Sequence, residues 1–181
     1  MFGLERCRSL TRSKRLILVR DPRDALVSHY YSIRQSHVLP AKGNNRRNML
    51  KAREQNANTG IDQFITQVQR GKFICKTMLS LSRLNGPDTH VYKYEDVIFK
   101  KAAWLRDMLS RIDIGQLDDG LIEETAARND VVPEDEDPSR HIRQVKPGNY
   151  KNHLSPETIG WIEREYSAMF DTYGYPKSST G

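Results

Sequence analysis

A short apolar run, Leu16 to Val19, lies between Arg15 and Arg20 and is followed at once by an aspartate and a proline. The run is too short for a helix, and its valine and isoleucine favour a buried strand. Aspartate is a preferred N-cap and proline is favoured at the first helical position, so a helix should begin at Pro22. The sequence therefore predicts a strand, a sharp turn and a helix in immediate succession, with the helix running to about residue 35.

Helical periods dominate the rest of the chain. Apolar spacing predicts helices over 61–70, 73–84, 99–112, 117–128 and 157–173. The alternation from Thr89 to Tyr94 indicates a second strand. Two strands among several helices predict an α/β fold in which a parallel sheet is flanked by helices.

Local signals indicate where some helices begin and end. Ser155 is expected to cap the last helix, with Pro156 at its first position. Gly71 and Gly174 are expected helix stops. Residues 37–60 are polar, show no strong period and are expected to form a loop.

The chain has 181 residues, and we expect one domain over 1–181 with a basic lead-in (1–14) and an acidic loop (130–140). Its formal net charge of +6 is uneven, because basic residues crowd the first 55 positions and acidic ones crowd 118–137. This asymmetry indicates an anionic partner at the N-terminal end, either a phosphorylated nucleotide or nucleic acid.

Composition narrows the class of protein further. No apolar run approaches the roughly 20 residues of a membrane helix, and no signal peptide is apparent, so a cytoplasmic location is expected. The two cysteines, Cys7 and Cys75, have neither metal-site nor disulfide-framework spacing, so no metal is expected.

Arg20 and Ser28 are the first candidate site residues. Arg20 ends the predicted strand, where open α/β sheets bind ligands, and the next helix directs its N-terminus to the same place. Ser28 lies about 200° around that helix from Leu26, off its apolar stripe. A guanidinium and a hydroxyl that converge there would suit a phosphate monoester. The alternative is that Arg20 pairs locally with Asp21 or Asp24 and that Ser28 is only exposed.

Three segments, in the same order, resemble motifs of the PAPS-dependent sulfotransferases of the cytosolic and bacterial type. Residues 19–32, VRDPRDALVSHYYS, resemble the family's 3′-phosphate-binding motif. Residues 92–96, YKYED, resemble its strand-end YED, and residues 141–154, HIRQVKPGNYKNHL, resemble its RKGxxGDWKN segment. The resemblance covers roughly residues 15–175 and implies the P-loop-like sulfotransferase fold.

The resemblance also implies roles for individual residues. Arg20, Ser28 and Arg143 would bind the 3′-phosphate of the co-substrate PAPS and of its product PAP, and Tyr94 would lie beside the adenine. The third segment departs from the family pattern, because Gln144-Val145 replaces Lys-Gly. That change removes a cation and a glycine that lets backbone approach a ligand.

The family's PKSGTTW-like loop, which cradles the 5′-phosphosulfate, has no counterpart in the printed sequence. By spacing, the family's catalytic histidine would fall before Met1, so the sequence is expected to be the C-terminal portion of an incomplete fold. The catalytic residue is therefore unassigned. His29 and His141 lie nearest the predicted nucleotide site and are expected to be structural or solvated.

The function expected from the resemblance is transfer of a sulfuryl group from PAPS to a hydroxyl of a small molecule or glycan, by a truncated or weakly active chain. One alternative is a non-catalytic module that binds PAP or another 3′-phosphonucleotide. Another is a basic protein that binds nucleic acid or sulfated polysaccharide through residues 1–55. For a sulfotransferase we expect neither nucleic acid nor a membrane as a partner. A homodimer that covers an exposed sheet edge is compatible with that function.

Overall fold

The structure is a computed structural model, and it describes residues 14–36, 39–67, 70–84, 86–112, 118–134, 136–137, 142 and 144–178. These residues form two compact units. The first contains the described residues up to Val19 and from Leu81 to Asp130, and the second contains those from Arg20 to Ser80 and from Val131 onward. Among the described residues, no helix is long and apolar enough to cross a membrane.

The first unit is built on two parallel strands, β1 (Arg15–Val19) and β2 (Thr89–Lys93). Their register pairs Arg15 with Thr89 at one end and Val19 with Lys93 at the other. Buried side chains alternate along β1, where Ile17 and Val19 face the interior. The predicted parallel α/β arrangement is confirmed.

Three helices complete the described part of this unit: α5 (Tyr94–Val97), α6 (Lys101–Arg111) and α7 (Asp119–Arg128). Arg106 of α6 joins α7 through Asp119 at 2.9 Å and Glu123 at 2.7 Å. The hydroxyl of Tyr92 on β2 donates to Asp107 of α6 at 2.5 Å, which ties the strand to the helix.

The second unit is helical. It contains α1 (Pro22–Tyr31), a π-helical turn (Ser32–Ser36), α2 (Asn44–Asn56), α3 (Ile61–Gln67), α4 (Arg70–Leu81), a 3₁₀ turn (Asn149–Asn152), α8 (Pro156–Glu165) and α9 (Ser167–Tyr173). A second 3₁₀ turn (Ser82–Leu84) follows α4. The core is formed by apolar side chains that are almost completely buried, chiefly Leu26, Phe64, Ile65, Ile162 and Phe170.

The local start and stop signals are confirmed at three places. Asp21 caps α1, its side chain accepting from the Arg23 backbone N–H at 2.9 Å. Ser155 caps α8 by accepting from the Thr158 N–H at 3.2 Å. Gly174 ends α9 in the left-handed region, with φ of +61°, where glycine carries no steric penalty.

Three predictions about helices are wrong. Residues 37–60 are not all loop, because α2 occupies 44–56 while burying only Ala52. Gly71 lies inside α4 rather than at a helix end. The last helix is interrupted at Tyr166, which separates α8 from α9.

Helix α2 could not be predicted from apolar periodicity, because the contacts that stabilise it are hydrogen bonds and not apolar packing. Its residues are mostly good helix formers. The guanidinium of Arg34 donates to the carbonyls of Thr59 at 3.0 Å and Ala57 at 2.6 Å, just beyond the end of the helix. Arg53 donates to the Ile33 carbonyl at 3.4 Å. These hydrogen bonds tie the ends of a polar helix to the turn that follows α1.

Candidate functional site

The structure brings Arg20 and Ser28 together. Arg20 directly follows β1, and α1 begins at Pro22. Nη1 of Arg20 donates to Oγ of Ser28 at 3.3 Å, and both side chains are half-buried. A planar cation and a hydroxyl therefore lie next to each other beside α1, with Ser28 in the second turn of the helix. This arrangement is suited to a phosphate or sulfate group.

Asp24 holds another segment against α1. It was not among the site residues predicted from the sequence. Its carboxylate is 1% exposed and accepts from the backbone N–H of Gly148 at 2.6 Å and of Tyr150 at 2.8 Å. Burial raises the pKa of Asp24, while these two N–H groups and the charge of Arg20 act in the opposite direction. Asp24 thus holds the 144–154 segment against the helix that carries Ser28.

Arg23 makes a second connection of the same kind. Its side chain is 3% exposed and donates to Asp21 at 2.9 and 2.6 Å and to Glu163 of α8 at 2.6 Å. The guanidinium also lies over the ring of Tyr150, 4.3 Å from its centroid. A buried cation is tolerated because both carboxylates neutralise it.

A third connection is polar. The hydroxyl of Tyr31 lies 3.1 Å from Nδ1 of His153, and Nε2 of His153 lies 3.0 Å from Oε1 of Glu136. Asn149 donates to Glu136 at 3.2 Å. The first and third motif-like segments of the sequence are therefore packed together in the second unit by Asp24, Arg23 and Tyr31.

The sequence also singled out Tyr94, Arg143, His29 and His141. Tyr94 begins α5 directly after β2 and is half-buried in the first unit. Arg143 and His141 lie outside the described residues. The ring of His29 is tilted against that of Phe64 with 6.0 Å between centroids, a packing contact within the second unit.

No group of ligating side chains that could hold a metal ion occurs among the described residues. Cys75 is buried, and burial raises the pKa of its thiol to about 12. Such a thiol is not a reactive thiolate near neutral pH. Cys7 lies outside the described part of the chain.

A family model described as Sulfotransferase domain matches residues 8–174 of the chain. The matched span includes Arg20 and Ser28, and it also includes Asp24 together with the backbone N–H groups that Asp24 binds. No curated protein matches the chain at a significant level.

Proposed function

Because this chain belongs to the sulfotransferase domain family, we propose that it binds the sulfuryl donor PAPS, and the product PAP, through their 3′-phosphate. The observation that carries the proposal is the 3.3 Å contact between the Arg20 guanidinium, just before α1, and the Ser28 hydroxyl within it. Both groups would donate hydrogen bonds to phosphate oxygens. Arg143 would add a second cation, and Tyr94 would flank the adenine.

The reaction we propose is transfer of the sulfuryl group from PAPS to a hydroxyl of a small molecule or glycan. Besides the contacts to the 3′-phosphate, transfer needs a general base and donors that stabilise charge on the leaving group. A general base contributes roughly 10²–10⁴ in rate, and a charge-stabilising donor contributes about 10²–10³.

A second candidate function is a non-catalytic module that binds PAP. It is favoured by the contacts of two described histidines of the second unit. His29 packs on Phe64, and His153 is held between Tyr31 and Glu136. Both histidines make these contacts with side chains of the protein itself. The contacts therefore give neither histidine the position of a general base facing an acceptor hydroxyl.

Calorimetric titration with PAP tests the binding proposal. We expect micromolar affinity for wild type and a loss of about 10- to 100-fold for Arg20→Ala, since a hydrogen bond to a charged group contributes ~1.5–3 kcal/mol. Ser28→Ala should lose less, because its hydroxyl is neutral. Adenosine 5′-phosphate, which lacks the 3′-phosphate and so all of these contacts, should bind wild type at least as weakly as PAP binds Arg20→Ala.

Matched variants control for loss of charge or hydroxyl elsewhere. Arg47→Ala removes an exposed cation from α2, and Ser110→Ala removes an exposed hydroxyl from α6. Both should keep wild-type PAP affinity. Equal PAP affinity in wild type and a folded Arg20→Ala variant would contradict the proposal.

A transfer assay with labelled PAPS and a panel of phenolic and glycan acceptors separates the two candidate functions. Labelled product that disappears in Arg20→Ala supports the transferase. PAP binding without any labelled product, at enzyme concentrations near that of the donor, supports the binding module.

A further inference from the structure

Most cations of α2, and Lys42 two residues before it, differ from those of α6 and α7 because they lack acidic partners in the part of the chain that the structure describes. Four cations, Lys42, Arg46, Arg47 and Lys51, make no ion pair with any described residue. The one acidic side chain of the helix, Glu54, pairs with none of them. Lys42, Arg47 and Lys51 are exposed, and Arg46 is half-buried with one hydrogen bond, to the Pro40 carbonyl at 3.1 Å.

Helices α6 and α7 provide the contrast within the same molecule. Each of their lysines and arginines has a carboxylate partner: Lys101 with Asp130, Arg106 with Asp119 and Glu123, Arg111 with Asp107, and Arg128 with Glu124. Apart from Lys101, the paired side chains are at least 40% exposed, so solvent exposure alone does not account for the uncompensated cations of α2.

The uncompensated cations share a helical face with amides. Residues 44, 47, 48, 51 and 55 recur at helical spacing and are all exposed, and they present Asn, Arg, Asn, Lys and Gln. Arg47 and Lys51 are one turn apart, a like-charge spacing that disfavours an isolated helix. We call this face, together with Lys42, the α2 cationic face.

The geometry points to a multivalent partner, because the cations are spread along the helix instead of converging on one point. Arg47 and Lys51 are separated by about 6 Å along the axis, at 1.5 Å per residue. A single phosphate would not reach them all, whereas successive anionic groups of a polymer would.

The amides and the composition of the face favour one class of polymer. Amide side chains both donate to and accept from sugar hydroxyls. No aromatic residue occurs between positions 42 and 56, so the face lacks the platforms on which nucleic-acid bases stack. We propose that the α2 cationic face binds an anionic polysaccharide, carrying sulfate or carboxylate groups. This surface is separate from Arg20 and Ser28, and its binding does not require the nucleotide.

Titration with a heparin octasaccharide over a series of salt concentrations tests the inference. Lys42→Gln/Arg47→Gln/Lys51→Gln should bind about tenfold or more weakly, since each exposed contact is worth up to ~5-fold. The slope of log affinity against log salt should fall by about two, if each contact contributes ~0.7 as in single-stranded nucleic acid. The three side chains make no ion pair, so thermal stability and PAP affinity should not change.

The matched control is Arg106→Gln/Arg111→Gln/Arg128→Gln, which removes the same formal charge from α6 and α7. It should keep heparin affinity within about threefold of wild type, as expected for a screened long-range effect. Equal losses in the two triple variants would overturn the proposal, because net charge alone would then explain binding. Equal binding of an uncharged octasaccharide, with neither sulfate nor carboxylate groups, would also overturn it, and tighter binding of a single-stranded oligonucleotide would reassign the face to nucleic acid.

Discussion

Two backbone N–H groups, those of Gly148 and Tyr150, donate to the buried carboxylate of Asp24. Replacing Asp24 with alanine would leave both groups without this acceptor. We expect the free energy of unfolding to fall by about 2–6 kcal/mol, at ~1–3 kcal/mol for each of the two groups left unsatisfied. Chemical denaturation measures the change. Asp171→Ala removes an exposed carboxylate that pairs with Lys177 and should have a smaller effect. Similar losses of stability in the two variants would show that Asp24 stabilises the fold no more than an exposed carboxylate does.

Asp107 provides a prediction about pH at the residue scale. The hydrogen bond from Arg111, followed by that from Tyr92, lowers the pKa of Asp107. A carboxylate whose pKa is lowered in the folded state stabilises the fold above its unfolded pKa, about 3.9, and this stabilisation disappears as pH falls through the folded pKa.

Thermal unfolding of wild type and Asp107→Asn, at about pH 6 and about pH 3, measures this effect. Asparagine keeps an acceptor for Tyr92 but no charge for Arg111. The advantage of wild type over Asp107→Asn should therefore shrink at the lower pH. An advantage that is the same at both pH values would contradict the assignment.

At the scale of elements, the ion pair between Arg23 and Glu163 joins α1 to α8 at 2.6 Å with both side chains almost fully buried. Breaking one side of such a pair leaves an uncompensated buried charge, which costs about 3–5 kcal/mol. Arg23→Met should reach this range. The double variant Arg23→Met/Glu163→Gln should lose at least ~0.5–1 kcal/mol less than the sum of the single variants, because they share the pair. Strict additivity in denaturation would show that the two side chains are not coupled.

The elements that were predictable from the sequence are those specified by neighbouring residues. The starts of α1 and α8 are encoded by Asp-Pro and Ser-Pro. The short apolar run of β1 and the alternation of β2 indicated the strands, and two strands among several helices predicted their parallel pairing. Helix α2 was missed because its stabilisation comes from Arg34 and Arg53, outside any apolar period. These contacts are tertiary, and propensity alone is a weak guide where tertiary contacts decide.

The residues of the candidate site also fall into two groups, those whose position follows from neighbouring residues and those that depend on distant partners. Arg20 and Ser28 are eight residues apart, and their approach follows from the turn and the first helical turns. The roles of Asp24 and Arg23 depend on partners 124 and 140 residues away in the chain. A charged residue in a motif that resembles a ligand-binding sequence gives no local sign that it is buried and paired instead.

At the scale of the whole molecule, nucleotide binding should appear as added stability of the folded chain. A ligand present at 100 times its dissociation constant stabilises a protein by about 2.7 kcal/mol, provided that it binds only the folded state. For a chain of 181 residues, each kcal/mol raises the unfolding temperature by roughly 2–4 °C. Saturating PAP should therefore raise the wild-type unfolding temperature by about 5–10 °C in scanning calorimetry. Arg20→Ala, with its affinity reduced 10- to 100-fold, should show at most about half of this shift at the same PAP concentration, and adenosine 5′-phosphate should produce no larger shift in wild type. A shift of equal size with both nucleotides would mean that the 3′-phosphate is not what the chain recognises, and the pairing of Arg20 with Ser28 would then have to be explained by local packing alone.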